Sequence, residues 1–271
     1  MARLRADADH DVTEASRHPA LARWPVFAAA LDAHFPGAIE LGDYMARSAR
    51  ALQPWRFEDA NTMGIVVTCR DEIATALHAL VVKAWGKTFD GRSLGGFLSM
   101  GATGIDAALS HAPVVDGHAR FALYAMPHIA ISEDGVIGNV YRESLQQVSH
   151  ACGSLAGVLH QLEAGHARRV IDLDDIEQSL VKGLLLTALR HGEARDLLAV
   201  TQLAGRLITE DVGRLVLAAD PARYSYAVFT GVLVHGPGDV HWVHPLHAYA
   251  RGVAVGTGTA HLTDLHLAVA R

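Results

Sequence analysis

The chain carries two cysteines, Cys69 and Cys152, 83 positions apart in 271 residues. That is too few for a disulfide framework and fits thiols kept reduced in a cytosol. Thiolate sulfur and neutral imidazole are zinc ligands of first choice, and a catalytic zinc takes about three protein ligands with a fourth position open. Cys69, Cys152 and one histidine would complete such a set. The spacing is not that of a zinc finger, so the fold must assemble the site. On spacing alone, two buried, inert cysteines are the commoner arrangement.

Residue type selects nothing among 17 histidines, but His128 follows Pro127 at a break in an apolar run, which presents an imidazole at a strand end. The alternative is a core histidine bonded to backbone. Arg70 and Asp71 adjoin Cys69, placing a guanidinium and a carboxylate beside any metal bound there. Asp71 and Glu72 also suit the first turn of a helix, whose dipole they complement. The two roles are compatible. His235, His241, His244 and His247 could suggest a second metal site, but a solvent-facing strand and its turn account for them more simply.

Other chemistry is excluded by position. Gly86-Lys87-Thr88 resembles the end of a phosphate loop, yet Val81 stands where that loop needs glycine. A phosphatase-like cysteine at Cys69 would need arginine where the chain has Thr75. The glycines around Thr103, including Gly101, either shape a small anion pocket through backbone N–H groups or merely turn the chain. A net charge of −6 and a pI near 6.3, from interspersed acids and bases, give no basic stripe for a nucleic acid. Asp7, Asp9, Asp11 and Glu14 near the start fit neither a secretory signal nor a transit peptide, and the apolar runs are shorter than a membrane span. A cytoplasmic protein without membrane insertion is expected.

The elements that must position these residues are readable from periodicity. Residues 1–20 are polar and read as frayed or as a short helix, ahead of a single domain over 21–271. Two helical stretches, broken at Pro36-Gly37, lead into MGIVVTC, a buried strand ending at Cys69, and then into the helical RDEIATALHALVVKAW. RFALYAMPHIAIS reads as a strand interrupted at Pro127-His128, with VIGNVYR as its hairpin partner. ACGSLAGVLHQLEAG starts a helix at about Cys152, and DLDDIEQSLVKGLLLTALRHG is another, with Gly192 past its end. Two helices follow, roughly 194–204 and 209–219, then strands on either side of Pro237-Gly238. Alternating strands and helices predict an α/β fold with a mainly parallel sheet covered on both faces. In such sheets ligands bind beyond the carboxyl ends of strands, where Cys69 falls.

The runs NTMGIVVTCRDE, LGGFLSMGATGIDAALSHAP, PHIAI, ACGSL and DDIEQSL together resemble the limiting-CO2-inducible protein B family, over roughly residues 35 to 245. The resemblance implies a β-carbonic anhydrase-like fold, a homodimer with its site near the interface, and one zinc ion per chain held by Cys69, His128 and Cys152. It implies carbon dioxide and bicarbonate as substrates, the nucleophile being hydroxide formed from zinc-bound water. Ordinary β-carbonic anhydrases pair Cys-x-Asp-x-Arg with His-x-x-Cys. Here Ile73 stands at the arginine position and Cys152 lies far beyond the second spacing, so Arg70 is expected to pair with Asp71. Gly101 and Thr103, from the matching MGATG turn, and His111, from the SHAP segment and a candidate proton shuttle, are candidates for the substrate pocket, a structural role for His111 being the alternative. Two further readings stay open: a catalytically silent zinc-binding partner in inorganic-carbon handling, and a reversible Cys69–Cys152 disulfide that releases the metal.

Overall fold

The computed structural model describes residues 18–115, 117–142, 146–189, 196–216, 223–253, 260–265 and 267. Its lead-in comprises α1 (Pro19–Arg23), α2 (Pro25–His34), β1 (Ile39–Glu40) and α3 (Leu41–Leu52). The central run is β2 (Thr62–Val67), α4 (Thr75–Trp85), β3 (Lys87–Asp90), α5 (Gly101–His111), β4 (Val114–Val115), β5 (His118–Ala125) and β6 (His128–Ala130). A hairpin of β7 (Asn139–Arg142) and β8 (Gln147–His150) precedes α6 (Gly153–Glu163), α7 (Ile176–Ala188) and α8 (Leu197–Val216). Strands β9 (Tyr224–His235), β10 (His241–Val253) and β11 (Ala260–Asp264) follow.

The main sheet runs β1-β10-β9-β5-β2-β3. Its centre, β9-β5-β2-β3, is parallel, as is the pairing of β6 with β9; β10 joins antiparallel at the edge. Every residue of β2 is buried, as expected of a strand with neighbours on both sides and helices on both faces. Helix α4 buries Leu77, Val81 and Trp85, one stripe at four-residue spacing. Gly64 of β2 lets that stripe approach, because a Cβ there would stand 2.7 Å from Val81 Cγ1. A second, smaller core of Phe27, Leu31, Phe35, Ile129, Val232, Val234 and Trp242 seats the lead-in helices against β6, β9 and β10. Alternation along a strand then turns His128 and His235 to the opposite face from Ile129 and Val234.

Two local expectations are corrected. β7 pairs with β8, and only the start of VIGNVYR, before β7, meets the strand containing His128, through the bridge Ile131↔Ile137 and the Gly138 N–H to Ala130 O bond. The link between β7 and β8 carries no short Gly-rich turn signal in the sequence. The two helices expected over 194–204 and 209–219 are one helix, α8, with residues 194–195 and 217–219 outside the described set. Gly205 is no break. It brings α8 close to the sheet, where a Cβ would stand 3.0 Å from Leu246 and 3.3 Å from Val232.

Candidate metal centre

Three elements deliver the candidate ligands. Cys69 follows the carboxyl end of β2, Cys152 is the N-cap of α6, and His128 opens β6. Pro127 ends the pairing of β5 and lets the chain step across. The Met126 N–H donates to Val67 O at 3.0 Å, and the Leu233 N–H to Pro127 O at 3.0 Å, so His128 is pinned between β2 and β9. Gly138 N–H donates to Ala130 O at 2.7 Å and Ala151 N–H to Gly138 O at 2.9 Å, which carries the start of α6 to β6.

The ligand atoms of Cys69, His128 and Cys152 all lie within 4.8 Å of one another, and all three residues are buried. The sulfurs are 3.6 Å apart. Two Zn–S bonds of about 2.3 Å at a tetrahedral angle put their sulfurs about 3.8 Å apart, so the pair is spaced for one ion. The hydrogen bond shared by the two sulfurs holds Cys69 below the ordinary thiol range and, together with burial, holds Cys152 well above it. His128 Nε2 is buried and has no hydrogen-bond partner, while Nδ1 lies 2.9 Å from His235 Nε2. A buried ring nitrogen left bare beside two cysteines suits a metal ion and little else. The donor set fits zinc, with a fourth position left over.

Asp71 stands next to this group, its Oδ2 3.9 Å from His128 Nε2. It also caps the turn Glu72–Ala74, accepting from Ile73 N–H, so both expected roles are combined. Its partner is not Arg70. Arg142 from β7 reaches the two Asp71 carboxylate oxygens at 3.1 and 3.2 Å and also pairs with Glu72. Arg70 points outward to Glu177 of α7, at 2.8 and 3.0 Å, and Glu177 accepts the Leu94 N–H as well. Residues adjacent in an irregular loop diverge, and Arg70, 59% exposed, turns to Glu177 instead.

The pocket candidates are not brought together. Gly101 and His111 are the two ends of α5, about 15 Å apart along its axis. His111 is exposed, with Nδ1 2.7 Å from Ala107 O, and Thr103 is exposed as well. Gly101 is the end nearer the site, since the preceding Met100 packs beside Gly91 and Val67. The expectation of a solvent-facing histidine strand is also corrected: His235 and His241 are buried and bonded to each other, His244 is half-buried, and only His247 is exposed. Burial holds His235 and His241 below the ordinary imidazole range, so both are neutral at physiological pH. His235 could have been found from the period-2 alternation of β9, whose parallel register places Ala130 opposite it. Arg142 carries no local signal.

The chain is thus an α/β protein with a parallel-centred sheet and, beyond a strand end, a buried Cys-His-Cys set that could hold a metal ion. The family profile of the limiting CO2-inducible proteins B/C beta carbonic anhydrases matches residues 38–252, and the chain belongs to that family. Among solved structures it is similar to limiting CO2-inducible protein LCIB, at 31% identity over 87% of this chain and 97% of that one, with a TM-score of 0.68. It shares the fold of PtLCIB4, a homolog of LCIB, at 22% identity over 88% and 99% of the two chains and a TM-score of 0.74. No curated protein matches the chain significantly. Among the described residues no helix is long and apolar enough to cross a membrane.

Proposed function

We propose that this chain catalyses the reversible hydration of carbon dioxide to bicarbonate, using one zinc ion held by Cys69, His128 and Cys152. The observation that carries the reading is the convergence of those three ligand atoms within 4.8 Å, with an arginine-anchored carboxylate beside them. The chemistry a zinc ion supplies in such a site is Lewis acidity, which lowers the pKa of water to about 7.

Asp71 accepts a hydrogen bond from the attacking water and aims its lone pair at the carbon of carbon dioxide. Arg142 keeps the carboxylate fixed in direction, and by holding both oxygens it opposes a swing of Asp71 into the fourth ligand position. One proton leaves to solvent for each bicarbonate formed. The homodimer expected of the family belongs to the same proposal, and light scattering reads it as twice the mass of the chain. A stopped-flow hydration assay on reduced, zinc-loaded protein tests the reading. Full zinc loading without turnover would favour a silent zinc-binding subunit instead.

A further inference from the structure

The hydration chemistry leaves two buried histidines without a task. His128 Nδ1 lies 2.9 Å from His235 Nε2, and His235 Nδ1 lies 2.9 Å from His241 Nδ1. His241 Nε2 in turn lies 3.4 Å from Oδ1 of Asp239, whose side chain is 93% exposed. The row thus runs from the metal site to the surface. It is built by one tight hairpin: His235 ends β9, His241 opens β10 and the two are register partners, with the Gly236 N–H donating to Val240 O across the turn. Phe27 and Trp242 pack on Gly236, in the turn that joins the two histidines.

A neutral imidazole carries one N–H and one bare nitrogen, so fixing the proton at one end of such a row fixes it throughout. The Asp239 carboxylate only accepts, which favours the proton of His241 on Nε2 and its Nδ1 as an acceptor. His235 then donates from Nδ1 and accepts at Nε2. His128 therefore donates from Nδ1, and its Nε2 is bare. That is the atom found buried without a partner beside the cysteines. The opposite polarity would put an N–H on Nε2, an atom that makes no hydrogen bond in the site, Asp71 Oδ2 being 3.9 Å away.

We infer that His235 is the positioning residue for the metal ligand His128, with His241 and Asp239 setting its polarity so that the Nε2 lone pair always faces the metal. The inference rests on the zinc reading above. Partners of this kind change metal affinity by roughly 10- to 100-fold.

The test is the zinc dissociation constant, read by competition with a chromophoric chelator, for wild type, His235→Leu, His235→Gln and Asp239→Asn. Nitrogen-15 NMR of the His128 ring accompanies it. His235→Leu fills the space without an acceptor and should weaken zinc binding roughly 10- to 100-fold. His235→Gln returns an oxygen near the lost Nε2 and should recover most of that loss, which a packing role would not predict. Asp239→Asn, at the exposed end, should weaken binding about 2- to 5-fold. In wild type His128 should be protonated at Nδ1 with or without metal. Protonation at Nε2 in the metal-free protein, or His235→Leu binding as tightly as wild type, overturns the inference. So does His235→Gln binding no better than a folded His235→Leu. If the leucine variant does not fold, the wild-type tautomer decides. A wild type that binds no zinc defeats the proposed function, while the tautomer still reports on the histidine row.

Discussion

Arg142 Nη2 stands 3.1 and 3.2 Å from the two carboxylate oxygens of Asp71, although the two residues are 71 positions apart. Adjacent Arg70 is bound elsewhere. The acid beside the candidate ligands is thus oriented by a hairpin, and that hairpin also leads directly into the helix that begins at Cys152.

From this pairing, Arg142→Leu and Asp71→Asn should each lower hydration activity by about 100-fold or more, the scale for losing a positioned electrostatic or proton-accepting group, with zinc retained. Arg70→Ala should leave activity within a few fold. Stopped-flow rates on samples of measured zinc content distinguish these outcomes. Equal losses for Arg70→Ala and Arg142→Leu would contradict the assignment.

Cys69→Ser, Cys152→Ser and His128→Ala should each reduce bound zinc to well under one ion per chain after dialysis against a weak chelator, because three ligands leave no spare. Metal analysis by plasma emission reads this directly. Retention of full zinc by any one of them would remove that residue from the site.

The pairing of Arg70 with Glu177 gives a pH signature. The Arg70 hydrogen bond holds the Glu177 carboxyl below its ordinary value of 4.5. A group depressed in the folded state stabilises it fully above its unfolded value and loses that contribution as pH falls through the folded one. Wild type should therefore lose stability relative to Glu177→Gln as pH drops below about 4.5, and thermal melts of both across that range provide the comparison. Parallel curves would show that the pairing contributes nothing.

Gly96 has φ +76°, and a Cβ there would lie 2.6 Å from Met126 O, two residues before His128. Gly96→Ala should cost about 1–2 kcal/mol for the left-handed backbone, with a further cost from the clash. A lower Tm accompanied by weaker zinc binding is expected. An unchanged Tm would show that the loop moves freely away from Met126.

The legible part of the site is the part set by local signals. Cys69 ends a short β-branched apolar run, His128 sits at a proline break, and Cys152 starts a periodic helical stretch. Each position follows from the chain within about ten residues of it, and the family resemblance selected which histidine to join to the cysteines. Arg142 and His235 depended instead on which strands pair and in what register, and that is decided by tertiary packing. The same limit covers the pairing of β7 with β8 and the merging of two periodic stretches into the single helix α8, whose Gly205 packs close to the sheet.

Stopped-flow hydration of carbon dioxide by the reduced protein, carrying one zinc per chain, is the most direct test of the central claim. The account predicts turnover above the buffer rate that disappears with a chelator and returns when zinc is restored. No turnover from fully loaded protein, or turnover that survives metal removal, would contradict it.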